Sequence, residues 1–198
     1  MPLFFWPVVV RREDKMVTSP GRMKQFVMVM IAVPLLICFA RPVFAVDSRE
    51  SRMTLTGLRG VYVAVEEMQS NVMKYEKHLH KSGLTPAQIQ QDVARRLREA
   101  GIRVLTPDEW LNTPGRPVLY VNINTHENEK YWLAYDVRLE VQLLVSLDSN
   151  PRIKTLASTW AINMTGMVDI GNLNVLRDNI LVLVNRFVEA YTSVNIGR

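Results

Sequence analysis

The clearest pattern in this chain is a two-residue alternation between positions 132 and 147. Every odd position from Leu133 to Leu147 is apolar, whereas the even positions include Asp136 and Arg138. A period of two gathers the apolar side chains on one face of a strand, whereas a helix would scatter them around its circumference. The sequence therefore predicts a long strand with one face on the core and one polar face.

Similar patterns predict the remaining elements. Alternating apolar residues predict strands at 58–66, 102–105, 118–125 and after the turn at 148–151, where Leu156, Trp160 and Ile162 are expected to share the core face. Thr85 and Gln88 have the spacing of a capping box and predict a helix up to Gly101, and a second helix is predicted at about 173–191. A polar stretch at 66–83 follows the first strand, and its residues 73–83 are expected to form a solvated loop.

These elements occur in the order β-α-β-β-β-β-α. The first βα unit is expected to be parallel and right-handed, and the last three strands form an antiparallel meander. The expected fold is therefore α+β, with a mixed five-stranded sheet and two helices packed on one face. The other face of the sheet is left polar.

The amino-terminal segment has the pattern of an export signal. Met23 and Lys24 precede an apolar stretch from Phe26 to Ala40, and a small-residue cleavage motif ends at Ala45. A charged start, a short apolar core and such a motif are typical of a secretory signal. Residues 1–45 are therefore predicted to be a leader that is cleaved after Ala45 and sends the protein to the periplasm. An uncleaved anchor is the alternative.

Residues 1–22 fit no region of a signal peptide, which indicates Met23 as the true start. Residues 46–57 are polar and are expected to be a flexible lead-in, followed by a single domain at 58–198. The one cysteine, Cys38, lies in the leader. Lipidation of Cys38 is the less favoured alternative, because bulky Ile37 stands where a small residue is usual. A cleaved chain would have no disulfide and no cysteine nucleophile.

The basic character of the chain is concentrated in this leader. Residues 1–45 carry +4 of the net charge of +5, so the remainder is nearly neutral. A strongly basic protein would suggest nucleic acid as a partner. The chain without its leader has almost no net charge, so its charge gives no reason to expect nucleic-acid binding. We therefore expect no nucleic-acid binding, and membrane contact only through an uncleaved leader.

The open sheet face offers the main candidate site. Trp132 and Leu144 interrupt its polar pattern, which favours contact with a partner over simple solvation. Pairing the core faces of the strands is expected to set Asn122 opposite Asp136 and Tyr120 opposite Arg138, with Asn163 near Arg138. The candidate partner-facing residues are Tyr120, Asn122, Asn124, His126, Trp132, Asp136, Arg138 and Asn163. An ordinary solvated face, held by cross-strand pairs, is the alternative.

Catalytic and metal-binding patterns are weak. His78 and His80 could share a metal only on a strand, and no third ligand is identifiable. The chain has three histidines and no phosphate loop, nucleophile elbow or HExxH motif. We predict no catalytic residue, no metal site and no cofactor. A small-ligand or metal-binding protein using His78, His80 or His126 is the alternative, and a hydrolase that combines His126 with carboxylates ranks third.

Three segments resemble a family of small, uncharacterised exported bacterial proteins: residues 96–104, 117–122 and 187–195. The element order is also similar to the amino-terminal domain of the Tol-Pal translocation protein, to the activator lipoproteins of penicillin-binding proteins and to the curli secretion lipoprotein. This resemblance implies a non-enzymatic domain that binds another envelope protein or itself. No motif transfers a functional residue.

Overall fold

The computed structural model describes residues 47–195. The helices are α1 (Arg49–Met53), α2 (Ser70–Met73), α3 (Glu76–Ser82), α4 (Pro86–Glu99), α5 (Pro107–Asn112) and α6 (Asn174–Asn195). The strands are β1 (Tyr62–Val65), β2 (Val118–Glu129), β3 (Trp132–Leu147) and β4 (Asn150–Asp169), and a 3-10 turn (Ile170–Asn172) precedes α6. The predicted leader, the cleavage position, the start at Met23 and Cys38 lie outside the described residues.

The sheet has the order β1-β2-β3-β4. β1 pairs parallel to β2, and the other two pairs are antiparallel, so the α+β class and the mixed sheet are confirmed. Within residues 47–195, no helix has the length and apolar character that crossing a bilayer requires.

The predicted strand at 102–105 does not form, so the described sheet has four strands rather than five. This segment makes only one parallel bridge, between Val104 and Val61. The chain approaches β1 so closely here that a Cβ atom on Gly60 would lie only 2.6 Å from the carbonyl oxygen of Arg103. Thr106 then caps α5 directly, which turns the chain away before a second strand residue pairs.

Two helices cover one face of the sheet, as the sequence predicts. α4 packs against β1 and α6, and α6 packs against β3 and β4. The buried side chains of the helices include Ile89, Val93 and Leu97 of α4 and Leu176, Ile180, Leu183, Val184 and Phe187 of α6. The odd-numbered residues of β3 from Leu133 to Val141 are buried in the same core, which confirms the assignment of its two faces.

The start of α4 matches the prediction only in part. Thr85 Oγ1 accepts a hydrogen bond from the backbone N–H of Gln88 at 3.3 Å, as an N-cap does. The side chain of Gln88 does not return to the cap; it donates instead to Asp92 Oδ1 at 3.2 Å. The predicted capping box is therefore half formed. Gly101 follows α4 with a φ of +76°, in the left-handed conformation expected there.

The polar stretch before α4 is not the solvated loop that the sequence predicts, because it contains α2 and α3. Each short helix buries one aliphatic side chain, Val72 in α2 and Leu79 in α3. Burial of these two residues gives the helices an anchor in the core, and the surrounding polar residues remain exposed.

The segment predicted as a lead-in contains α1, which the sequence analysis did not include. Leu55, just after this helix, is fully buried. Trp160 Nε1 in β4 donates to Asp47 Oδ1 at 2.9 Å, and Asn195 Nδ2 donates to the carbonyl oxygen of Leu55 at 3.0 Å. These contacts tie the start of the described chain to the sheet and to the end of α6.

A bulge divides β4 and changes which residues reach the core. Val141 pairs with Trp160, but Gln142 pairs with Ser158, so the intervening Thr159 is extra. An extra residue reverses the alternation of faces on its two sides. Leu156 therefore lies on the open face, paired with Leu144, and the prediction that it shares the core face with Trp160 is wrong.

Candidate functional site

The open face of the sheet carries all eight predicted partner-facing residues. Even-numbered residues of β2 and β3 and the odd-numbered residues of β4 after its bulge share this face, opposite the helices. The surface has two parts: a polar centre whose side chains bond to each other, and an apolar end near the turn between β2 and β3.

One half of the polar centre is organised by Glu66, which follows β1. Glu66 Oε2 accepts a hydrogen bond from the Tyr120 hydroxyl at 2.7 Å and another from Asn122 Nδ2. Asn122 Oδ1 accepts from Asn124 Nδ2, and Asn124 Oδ1 accepts from Gln69 Nε2 at 3.0 Å. The chain of bonds joins β2 to the segment after β1, so these groups stabilise the face.

The other half of the polar centre lies on β3 and β4. The carboxylate of Glu140 is paired with Arg138 Nε at 2.9 Å and accepts from Gln142 Nε2 at 2.6 Å. Asn163 Nδ2 donates to Asp136 Oδ1 at 2.9 Å. Glu140 is buried although it faces away from the helices, which shows how closely its neighbours cover it. The charges of Arg138 and Glu140 are therefore compensated within the protein, and the Asp136 carboxylate has an amide donor.

The predicted strand register is wrong by two residues, although the predicted face is right. Asn122 lies opposite Arg138 rather than Asp136, and Tyr120 lies opposite Glu140 rather than Arg138. Asn163 does pair with Arg138, as predicted. The error arises because the predicted strand ended at residue 125, whereas β2 extends to Glu129 and only two residues form the turn before β3.

The environment of Tyr120 raises the pKa of its phenol. Burial, together with the hydrogen bond to Glu66 and the negative charges of Glu66 and Glu140, raises the pKa of Tyr120 to about 12. All of these factors disfavour the phenolate. The phenol therefore stays neutral, as a donor to Glu66, across the physiological pH range.

The raised pKa predicts a stability change at high pH. Since the pKa of Tyr120 in the folded state exceeds its unfolded value of about 10, its contribution is fully present below about pH 10 and is lost as the pH rises through about 12. Ultraviolet titration of wild type and Tyr120→Phe should differ by one tyrosine that ionises near pH 12. A difference spectrum that titrates near pH 10 would contradict this environment.

The apolar end of the open face is formed by Trp132, Ala134 and Met167 with His126, which we call the Trp132 surface. The register places His126 opposite Ala134 and Ala134 opposite Met167, and Trp132 is two residues before Ala134 on the same face. Trp132 is 44% exposed and Met167 is 54% exposed. A hollow of about 540 Å³ is lined by Met167, His126 and Ala134, among other residues, and Trp132 does not line it.

The histidines do not form a metal site in the described part of the chain. His78 and His80 lie on helix α3, where residues two apart point about 200° apart. His80 Nε2 lies 3.5 Å from Glu76 on an exposed helix face, and His78 packs edge-on against Tyr75. Between residues 47 and 195, no three His, Cys, Asp or Glu side chains are placed to share a metal ion.

A hydrolytic arrangement around His126 is not favoured by the geometry. Its cross-strand neighbour is Ala134, and the nearest carboxylate along that face of β3, Asp136, accepts the hydrogen bond of Asn163. A general base needs a proton-bearing group within hydrogen-bond reach. No side-chain hydrogen bond of His126 is formed within residues 47–195.

The sequence analysis found Trp132 and His126 but missed the other members of this surface. Met167 lies beyond the bulge of β4, and Ala134 has no chemistry that marks it. Glu66 and Glu140 were not identified as partners of the predicted residues. The one available signal was Met167 at an odd position after Asn163, which places both on the same face of a strand.

Comparisons with known proteins add no relative. Neither the protein-family models, the curated proteins nor the solved structures gave a significant match to this chain. The resemblance to exported envelope proteins therefore stays a prediction.

Proposed function

We propose that this protein is a non-catalytic, exported domain that binds another envelope protein, or a second copy of itself, through the open face of its sheet. The Trp132 surface is the proposed centre of contact, with the hydrogen-bonded polar centre beside it. The signal-like residues 23–45 support a periplasmic location.

The observation that carries this proposal is the exposure of Trp132 and Met167 at diagonal positions of two paired strands on one face. Large apolar side chains grouped on a surface gain free energy when a partner covers them. Tryptophan is also among the residues that most often dominate the energy of protein interfaces. Isolated exposed apolar residues need no explanation, but these two lie around Ala134 in neighbouring strands.

The residues of the polar centre are expected to assist binding rather than to supply most of its energy. Asn122, Asp136 and Arg138 already bond within the protein. A partner would gain little from them unless those bonds were exchanged. We therefore expect them to hold the face flat and to exclude mismatched partners, as polar rims do.

A double substitution tests the proposal. Trp132→Ala with Met167→Ala should weaken association with the partner at least thirtyfold, because each truncation removes about 1–2 kcal/mol of buried apolar contact. Co-purification of the tagged, exported protein measures binding to a partner, and sedimentation velocity measures self-association.

A matched control uses the exposed side of α6. Val175→Ala with Val182→Ala removes two apolar side chains of similar exposure from that helix. The control should leave association unchanged. Equal loss in both double variants, or no loss in either, would rule out the Trp132 surface as the binding site.

A further inference from the structure

β3 and β4 continue past the rest of the sheet as a two-stranded ribbon, residues 143–157. The last residue of β3 that pairs with β2 is Gln142. Beyond it, one backbone bond reaches another segment of residues 47–195, from the N–H of Leu144 to the carbonyl of Gly115 at 2.7 Å. Two-stranded ribbons are only marginally stable in water, so a long one benefits from further contact.

Both faces of the ribbon carry apolar side chains. Leu143, Leu144 and Val145 are three consecutive apolar residues, so the alternation that holds in the rest of β3 fails here. Leu147, Ile153 and Leu156 are exposed by 41%, 49% and 44%. Consecutive apolar positions in a strand indicate that both faces are to be covered.

The two edges of the sheet differ in how their outer backbone groups are hydrogen-bonded. At the β1 edge, Val61 bonds to the segment at 103–105, and Gln90 Nε2 donates to the carbonyl of Val63 at 2.8 Å. At the β4 edge, no backbone bond joins residues 151–157 to any described element other than β3. An edge whose main-chain groups have no partner strand can accept an added one, with main-chain bonds supplying affinity.

The charge pattern of this edge indicates what the added strand would contain. Arg152 and Lys154 are the only charged residues between positions 150 and 168, and both are exposed. Lys154 and Leu156 lie on the same side of the ribbon, because they pair with Ser146 and Leu144, whereas residues 151–153 form an irregular bulge before Lys154. A strand added here meets both basic and exposed aliphatic side chains.

We propose that the outer edge of β4 at residues 151–157 binds an extended segment of another protein that contains both acidic and aliphatic residues. The acidic side chains would lie beside Arg152 and Lys154. A second copy of this strand is a poor occupant, because antiparallel self-pairing about Ile153 would set Arg152 of each copy opposite Lys154 of the other.

This site is separate from the Trp132 surface. Trp132 and Leu147 are at opposite ends of β3, and fifteen residues of extended chain span about 50 Å. The edge site therefore goes beyond the proposed function, and either proposal can fail without the other. Trp132→Ala with Met167→Ala should leave binding at the edge unchanged.

A charge-swap experiment tests the edge site. The probes are two fluorescent ten-residue synthetic peptides, one alternating valine with glutamate and one alternating valine with lysine. The protein is compared with Arg152→Glu plus Lys154→Glu by fluorescence anisotropy. We expect wild type to bind the glutamate peptide at least tenfold more tightly, and the double variant to reverse this preference. Reversal cannot arise from misfolding.

The matched control is Lys77→Glu with Lys81→Glu, which makes the same change of charge on exposed positions of α3. It should keep the wild-type preference. Loss of preference in this control, or an unchanged preference in the edge variant, would overturn the proposal. The proposal would also be overturned if the wild type formed a dimer that the edge variant dissociates. It would equally be overturned if the wild type bound phosphatidylglycerol vesicles and did not bind the glutamate peptide.

Discussion

Replacing Trp160 by alanine is expected to lower the free energy of unfolding by about 3–5 kcal/mol. Trp160 is 1% exposed, and its ring packs against Phe187 of α6 with centroids 5.4 Å apart. Its Nε1 also donates to Asp47. The truncation therefore removes contacts between β4 and α6 and leaves the Asp47 carboxylate without this donor. Urea denaturation followed by circular dichroism measures the loss.

Trp132, the other tryptophan of the sheet, provides the control. Trp132 has the same chemistry but lies on the open face, so Trp132→Ala should change stability by less than about 1 kcal/mol. Trp160→Phe should fall between the two, because it keeps a ring against Phe187 and loses the bond to Asp47. Similar losses at positions 132 and 160 would mean that the two faces of the sheet are assigned incorrectly.

Arg177→Met is expected to cost about 3 kcal/mol, the second large effect. Arg177 on α6 donates to Asp92 Oδ2 on α4 through Nε at 2.7 Å and Nη2 at 2.6 Å. The Asp92 side chain is only 4% exposed. Its other oxygen is held by Gln88 and by Arg95, but removing Arg177 leaves Oδ2 buried without a donor. Breaking a buried ion pair from one side is strongly destabilising.

A double replacement separates the buried charge from the loss of packing. Asp92→Leu with Arg177→Met removes both charges, so no ion remains buried and alone. The double variant should be more stable than Arg177→Met, since apolar residues of similar volume often replace buried pairs without net cost. Chemical denaturation gives both values. If the double variant is the less stable of the two, the carboxylate does not carry the penalty.

The faces of the sheet could be predicted because they depend on short-range alternation. In β3, the odd positions from Leu133 to Val141 are buried, as the pattern requires. Alternation is a local property, and it survives any arrangement of the neighbouring strands. The helices α4 and α6 were predictable for a related reason, since their apolar stripes have a helical period.

The register between β2 and β3 could not be predicted, because it depends on the turn. Lys130 and Tyr131 form a two-residue turn in which Tyr131 has a φ of +71°. Such turns are usually marked by Asn-Gly or Asp-Gly, and this chain has neither residue pair there. The irregular pairing between Glu127 and Glu129 further obscures the end of β2.

The sequence could predict which face of the sheet carries the candidate site, but not all the residues that form it. Trp132 stood out because an aromatic residue interrupts a polar face. Met167 did not, because methionine is as suited to a core as to a contact surface, and its place opposite Ala134 depends on the register between β3 and β4. The missing fifth strand has a similar cause: whether residues 102–105 pair depends on where Thr106 begins α5, and not on their own β propensity.

Photo-crosslinking from the open face is the most direct measurement of partner binding. A photoreactive phenylalanine analogue is placed at position 132, 167 or 182 of the full chain in its native cells, and the adducts are identified by mass spectrometry. The proposed function predicts adducts with one protein, or with a second copy, from positions 132 and 167 and none from 182 on α6. Adducts from position 182 alone, or none from 132 and 167, would contradict it.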